Sequence, residues 1–110
     1  MTLINAAISD QTGSVQIFTE FESAQPRYCG SSLYKDWANP GSRLQPGQAI
    51  ALSSLLNEKV DFLKLDVEGM ESRVLREIDT QISTIGEICT EYHGLHKTNR
   101  DNNLEDIVEL

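Results

Sequence analysis

Eight residues near the middle of the chain, Val60, Asp61, Phe62, Leu63, Lys64, Leu65, Asp66 and Val67, constrain the fold more than any other stretch. Apolar side chains occupy both parities over most of this run, which is how a strand buried on both faces of a parallel sheet reads. A turn follows at Glu68, Gly69, Met70 and Glu71, after which Val74, Leu75, Ile78, Ile82 and Ile85 recur at helical spacing. That spacing predicts a helix of about four turns with one apolar stripe, leaving Arg73, Arg76, Glu77 and Asp79 to the solvent side. Gly86 then reads as a helix stop and residues 87–93 as a second strand. Strand, helix, strand is the βαβ unit, so the fold class is α/β with a largely parallel sheet.

The flanking signals are shorter. Residues 3–8 read as a buried strand, and the turn residues 9–13 lead into an alternating stretch, Ser14, Val15, Gln16 and Ile17, where a short antiparallel pair is expected. Residues 21–47 hold all three prolines and scattered aromatics (Phe21, Tyr28, Tyr34, Trp37) without a period, which reads as a long loop region. Such a loop is either an adaptable connection or a lid facing substrate. Residues 48–52 can extend, Ser53 is a candidate N-cap, and Leu55 and Leu56 begin a short helix. After Gly94 a polar loop leads to residues 104–110, which read as the start of another helix.

At 110 residues the chain holds one domain and not two. Seventeen acidic residues against nine basic ones give a formal charge of -8, which repels nucleic-acid backbones and argues against them as partners. Cys29 and Cys89 lie far apart without Cys-x-x-Cys spacing, which suits free thiols in a reducing compartment. No apolar run approaches the roughly 20 residues of a membrane span. A cytoplasmic chain with no membrane partner is the expectation.

In an open parallel sheet, ligands bind beyond the carboxyl ends of the strands. Asp66 and Glu68 leave the first strand of the βαβ unit with one parity, and Glu91 and His93 leave the second with one parity. Four ionisable groups are thereby expected to meet in one cleft. They suit a general acid and base that deprotonate a hydroxyl or amine, or a hard-cation site with oxygen ligands and one imidazole, and the spacing does not choose. Asp66 and Glu68 equally suit the cap of the following helix. Lys64, inside an apolar strand, needs a carboxylate, and Asp66 on the same face is the expected partner. His93 and His96 form a His-x-x-His pair, with His96 expected in solvent. No metal set is assigned, and a divalent ion stays open as the cation-site alternative without further support in the sequence.

The run from Val60 to Leu75 resembles the signature of the FkbM family of methyltransferases, Val-Asp-hydrophobic-hydrophobic-Lys-hydrophobic-Asp-Val-Glu-Gly-x-Glu, with Val-Leu after a short gap. Shorter stretches agree in order: Asn5 to Asp10 with Gly13 is similar to the segment after the family's third strand, and Glu91-Tyr92-His93 to its Glu-x-His. Ser31, Ser32 and Leu33 resemble its Ser-rich loop, and Leu52 to Leu56 its Leu-x-x-Leu-Leu helix, so the resemblance covers essentially the whole chain. It implies a Rossmann-like class I methyltransferase fold, S-adenosylmethionine as donor, and an oxygen of a small molecule or sugar as acceptor. By position it implies Ala7, Ile8 and Ser9 beside the cofactor's adenine, and Asp66, Glu68, Glu91 and His93 on the acceptor side, with Asp66 or His93 as base.

The family's glycine-rich turn after its first strand, the acidic residue ending its second, and its closing strands have no counterpart here. The resemblance therefore implies a single, incomplete domain over residues 1–110, lacking the N-terminal cofactor-binding strands. A partial sheet leaves an unprotected edge, through which two copies of the chain are expected to pair. The alternative function is a shortened, non-catalytic relative that serves as a binding or interaction module.

Overall fold

A computed structural model describes residues 1–19, 31–34, 43–93 and 102–108. In chain order its elements are β1 (Ala7–Ser9), β2 (Gly13–Thr19), β3 (Arg43–Ala51), a 3₁₀ turn (Leu52–Leu55), β4 (Val60–Leu65), α1 (Glu71–Glu77), a second 3₁₀ turn (Asp79–Thr84), β5 (Ile85–Thr90) and α2 (Leu104–Val108). The fold is α/β as expected, but its strands form two sheets and one of them is mixed.

In the first sheet β3 lies between β1 and β2. It runs parallel to β1, from Ala7 opposite Ala49 to Ser9 opposite Ala51, and antiparallel to β2, from Gly13 opposite Ala49 to Thr19 opposite Arg43. The antiparallel ladder is the longer, which corrects the expectation of a largely parallel sheet. It also corrects the loop assigned to residues 21–47, because residues 43–47 belong to β3. Pro46 and Gly47 hid that strand; both fall where β3 has a ladder only to β2, so proline's missing donor is tolerated. Of the remaining loop, residues 31–34 are described, with Ser32 bridging Phe18 through two backbone hydrogen bonds of 2.7 and 2.9 Å; residues 21–30 and 35–42 lie outside the described residues.

The βαβ unit is present, with β4 and β5 parallel from Val60 opposite Ile85 to Leu65 opposite Thr90. Leu65 is buried while Phe62 is 54% exposed and Lys64 is exposed, so one face of this pair is open rather than both being covered. Gly86 is not a helix stop. It sits inside β5, where a Cβ would meet the Asp61 carbonyl oxygen at 2.8 Å.

The crossover is shorter in α-helix than its apolar stripe suggested. Val74, Leu75 and Ile78 are buried on one side of α1 as predicted, but after Ile78 the chain tightens into a 3₁₀ turn. Asp79, Thr80, Ser83 and Thr84 are poor interior helix residues, and the Thr84 hydroxyl donates back to the Gln81 carbonyl at 2.7 Å. Leu52, Leu56, Leu65, Met70, Val74, Leu75, Ile78 and Ile85 form the core. Burying a side chain such as Ile78 contributes on the order of 1.5–3 kcal/mol.

Polar contacts of α1 tie the two sheets together. Arg73 donates from Nε and Nη2 to one oxygen of Asp10, at 3.0 and 2.6 Å, instead of facing solvent. Glu77 accepts the Ser53 backbone N–H at 3.0 Å, so Ser53 does not act as the expected N-cap; the 3₁₀ turn begins one residue before it. No helix among the described residues is long and apolar enough to cross a membrane. Cys89 is a free, exposed thiol, and Cys29 lies outside the described residues.

Candidate functional site

At the carboxyl end of β4 the chain reverses in a tight turn before α1 begins. Glu68 and Gly69 both take positive φ, 48° and 99°. Glycine adopts that conformation without cost, whereas Glu68 in the left-handed region carries on the order of 1–2 kcal/mol of local strain. The turn is held by its surroundings: the Ser32 hydroxyl donates to the Glu68 carbonyl at 2.6 Å, and the Gly69 N–H donates to Glu71 Oε1 at 3.1 Å.

Beyond β5 the backbone keeps its neighbour for one more step, with Glu91 N–H donating to the Leu65 carbonyl at 3.0 Å. This brings Glu91 and His93 alongside the turn. His93 Nε2 lies 3.5 Å from Glu68 Oε2, 3.7 Å from Glu91 Oε1 and 3.8 Å from Asp66 Oδ1. The other three residues singled out from the sequence thus converge on one edge of the His93 imidazole.

The other edge of the imidazole meets a residue that sequence reasoning missed. His93 Nδ1 is 2.9 Å from Glu71 Oε1, and Glu71 is completely buried. A buried carboxylate must be satisfied by donors. Glu71 has four: Gly69 N–H and His93 Nδ1 at one oxygen, Asn102 Nδ2 at 2.5 Å and His93 N–H at 3.4 Å at the other. Asn102 is in turn fixed, accepting the Ser72 N–H at 2.8 Å through Oδ1 and donating to the His93 carbonyl at 3.1 Å. Tyr92 donates its hydroxyl to the Asn102 carbonyl at 2.8 Å. The available signal was an acidic residue in the first turn of the helix after the strand; read as part of a surface turn, Glu71 gave no hint of its burial.

Charge follows geometry. Burial works against the His93 imidazolium, but the Glu71 hydrogen bond and the carboxylates of Glu68, Glu71 and Asp66 outweigh it and raise its pKa above the usual histidine value. Burial likewise opposes ionised Glu71, yet its hydrogen bonds from His93, Gly69 and Asn102 hold its carboxyl below the usual range. Glu68 is raised, chiefly by burial and then by Asp66, Glu71 and Glu91, with His93 opposing. Lys64 pairs with Glu91 at 3.8 Å and not with the expected Asp66; both partners are at least half exposed, so the contact is worth little.

Two cavities open beside this cluster. One, of about 290 Å³, is lined by Ala7, Ile8, Ser32, Leu33, Asp66 and Glu68 among others. It joins two of the three residues assigned to the cofactor with two of the four assigned to the acceptor. Ser9 is not among them: it is buried, donates to Asp10 at 3.0 Å, and lines a neighbouring cavity of about 420 Å³ that carries the Asp10–Arg73 pair. Asp66, Glu68 and His93 each present one ligand atom within 4.8 Å of the others, an arrangement that also occurs in exposed acidic clusters holding no ion. His96 lies outside the described residues.

Over residues 1–110 the chain matches the family model described as the Methyltransferase FkbM domain, which bears out the resemblance carried by the run from Val60 to Leu75. Comparison with curated proteins and with solved structures found no match.

Proposed function

The chain belongs to the FkbM methyltransferase family, and from that premise we propose that it methylates an oxygen of a small molecule or sugar with S-adenosylmethionine as donor. Ala7, Ile8 and Ser9 take the cofactor side in this reading, and Asp66, Glu68, Glu91 and His93 the acceptor side. The observation that carries it is the shared cavity: Asp66 and Glu68, which face His93 Nε2, also wall the space lined by Ala7 and Ile8.

The residues present fit the donor. Ala7, Ile8 and Leu33 offer apolar lining of the kind a planar base needs, while the carboxylates of Asp66 and Glu68 in the same lining accept hydrogen bonds from hydroxyls and favour a positive charge. When bound, S-adenosylmethionine supplies a methyl group on a positively charged sulfur. The chain's own part is to align the acceptor oxygen with that methyl and to receive its proton. His93 is the base of choice, because its Nδ1 is anchored on a buried group and its Nε2 lies 3.8 and 3.5 Å from Asp66 and Glu68, which line the cavity. Glu68 and Asp66 orient the acceptor's remaining hydroxyls. Association of two copies through an open sheet edge belongs to the same proposal, since β4 and β5 each have one strand neighbour among the described residues.

The test is a radiolabelled methyl-transfer assay with a panel of sugars and polyols, run on the wild type and on His93→Ala. Label incorporation that falls on the order of 10²-fold or more in the variant supports the reading. Incorporation by His93→Ala at the wild-type rate overturns His93 as the base, and none by a folded wild type with any hydroxyl acceptor overturns the reaction class.

A further inference from the structure

The geometry points to Glu71 as a positioning residue that fixes the tautomer and orientation of His93, presenting an unprotonated Nε2 to the acceptor hydroxyl. This rests on the methyl-transfer reading for its purpose, though not for its geometry. A neutral imidazole carries one proton and must place it on Nδ1 or Nε2. On the Nδ1 side stands a completely buried carboxylate at 2.9 Å; on the Nε2 side stand Glu68, Glu91 and Asp66 at 3.5–3.8 Å, with side chains 26%, 60% and 44% exposed. A carboxylate only accepts, and Glu71 lies away from water, so the proton on Nδ1 satisfies a group that solvent cannot. The neutral ring is therefore the Nδ1–H form.

Glu71 is held as firmly as the ring it holds. Its second oxygen takes the Asn102 amide, and Asn102 cannot turn over because its own oxygen accepts the Ser72 N–H. In the transfer step the acceptor O–H bond breaks and an Nε2–H bond forms. The oxygen's electron pair makes the new bond to the methyl carbon, and the sulfur keeps the pair of the bond that breaks. The resulting imidazolium faces the ionised Glu71 across Nδ1–H and later returns its proton to water. A carboxylate behind a histidine in this way sets which nitrogen is available and steadies the cation that forms.

Glu71→Gln separates this role from simple packing. The amide brings one NH₂ donor into a site where every neighbour donates. Facing Asn102 it would meet two donors that cannot reverse, the Asn102 amide and the His93 backbone N–H; facing the ring it meets one such donor, the Gly69 N–H, and an imidazole that can move its proton to Nε2. The substitution is expected to invert the tautomer and block the base with little change of shape.

The experiment is long-range ¹H–¹⁵N correlation on histidine-labelled protein, on the alkaline side of the His93 titration, with His96→Asn to assign the two rings. The expected result is Nδ1–H for wild type and Nε2–H for Glu71→Gln, with kcat in the variant lowered on the order of 10²- to 10⁴-fold. An Nε2–H ring in wild type overturns the inference without needing any variant to fold. So does a Glu71→Gln protein that keeps Nδ1–H, or one that inverts the tautomer and keeps its kcat. The spectrum needs no substrate, so a wild type showing Nδ1–H but no methyl transfer would sink the function proposed above and leave the tautomer assignment standing.

Discussion

Replacing Gly86 with alanine should destabilise the protein, against the usual benefit of removing a glycine from a strand. Alanine in place of glycine narrows the unfolded ensemble and gains about 0.4–1 kcal/mol where the native backbone accepts it. Here the added Cβ would lie 2.8 Å from the Asp61 carbonyl oxygen, 3.5 Å from its carbon and 3.6 Å from its Cα. These are backbone atoms of β4, so relief requires the two strands to separate locally. Overpacking of this kind costs about 1–3 kcal/mol, leaving a net loss on the order of 1–2 kcal/mol. In a domain of this size that lowers Tm by roughly 5 °C or somewhat more. Gly47→Ala is the control: its Cβ would meet only the Ile17 side chain, at 2.5 Å from the flexible Cδ1, which can rotate away. Urea unfolding and thermal melts of both variants provide the comparison. A Gly86→Ala protein as stable as wild type would show that β4 and β5 are not packed at this distance, and a Gly47→Ala protein that loses more would show that the Ile17 side chain cannot rotate away.

Ile78→Ala removes a completely buried side chain from the centre of the core and should cost about 2–5 kcal/mol in urea unfolding; a loss below 1 kcal/mol would contradict its burial. Asn102→Ala leaves the Ser72 N–H and one Glu71 oxygen without their side-chain partner, so a loss of about 1–3 kcal/mol is expected, with faster amide exchange at Ser72. The His93–Glu71 pair predicts a pH window. His93 is raised from its ordinary 6.5, so its stabilisation is complete below that value and is lost as pH rises through the folded pKa. Glu71 is lowered from 4.5, so its stabilisation is present above that value and is lost as pH falls through the folded pKa. Glu68, raised from 4.5, adds a loss of stability as pH climbs through its own folded pKa. Chemical denaturation across pH should therefore show wild-type stability falling above pH 6.5 and His93→Asn lacking that fall; parallel profiles would contradict it.

Much of the βαβ unit was legible because its signal is local and periodic: Leu65, Val74, Leu75 and Ile78 point where their spacing says they do. Parity at the strand ends was enough to bring Asp66, Glu68, Glu91 and His93 together, since a parallel pair aligns its carboxyl ends. What stayed hidden depended on contacts distant in sequence. Residues 43–47 of β3 include Pro46 and Gly47, and their only strand partner is β2. Gly86 read as punctuation, whereas its meaning lies in the Asp61 backbone opposite. Glu71 looked like one more surface acid because nothing nearby foretells Asn102, thirty-one residues on, closing over it. Arg73 was assigned to solvent for the same reason, its partner Asp10 being 63 residues away.

Binding of the methyl donor by this chain is the step on which the proposed reaction depends. Isothermal titration of the purified protein with S-adenosylmethionine and with its demethylated product, with and without magnesium, reads this without knowledge of the acceptor. Binding of both at micromolar strength, unchanged by magnesium and weakened by Asp66→Asn, is the predicted result. A chain that is folded by circular dichroism yet gives no heat of binding with either compound would contradict it.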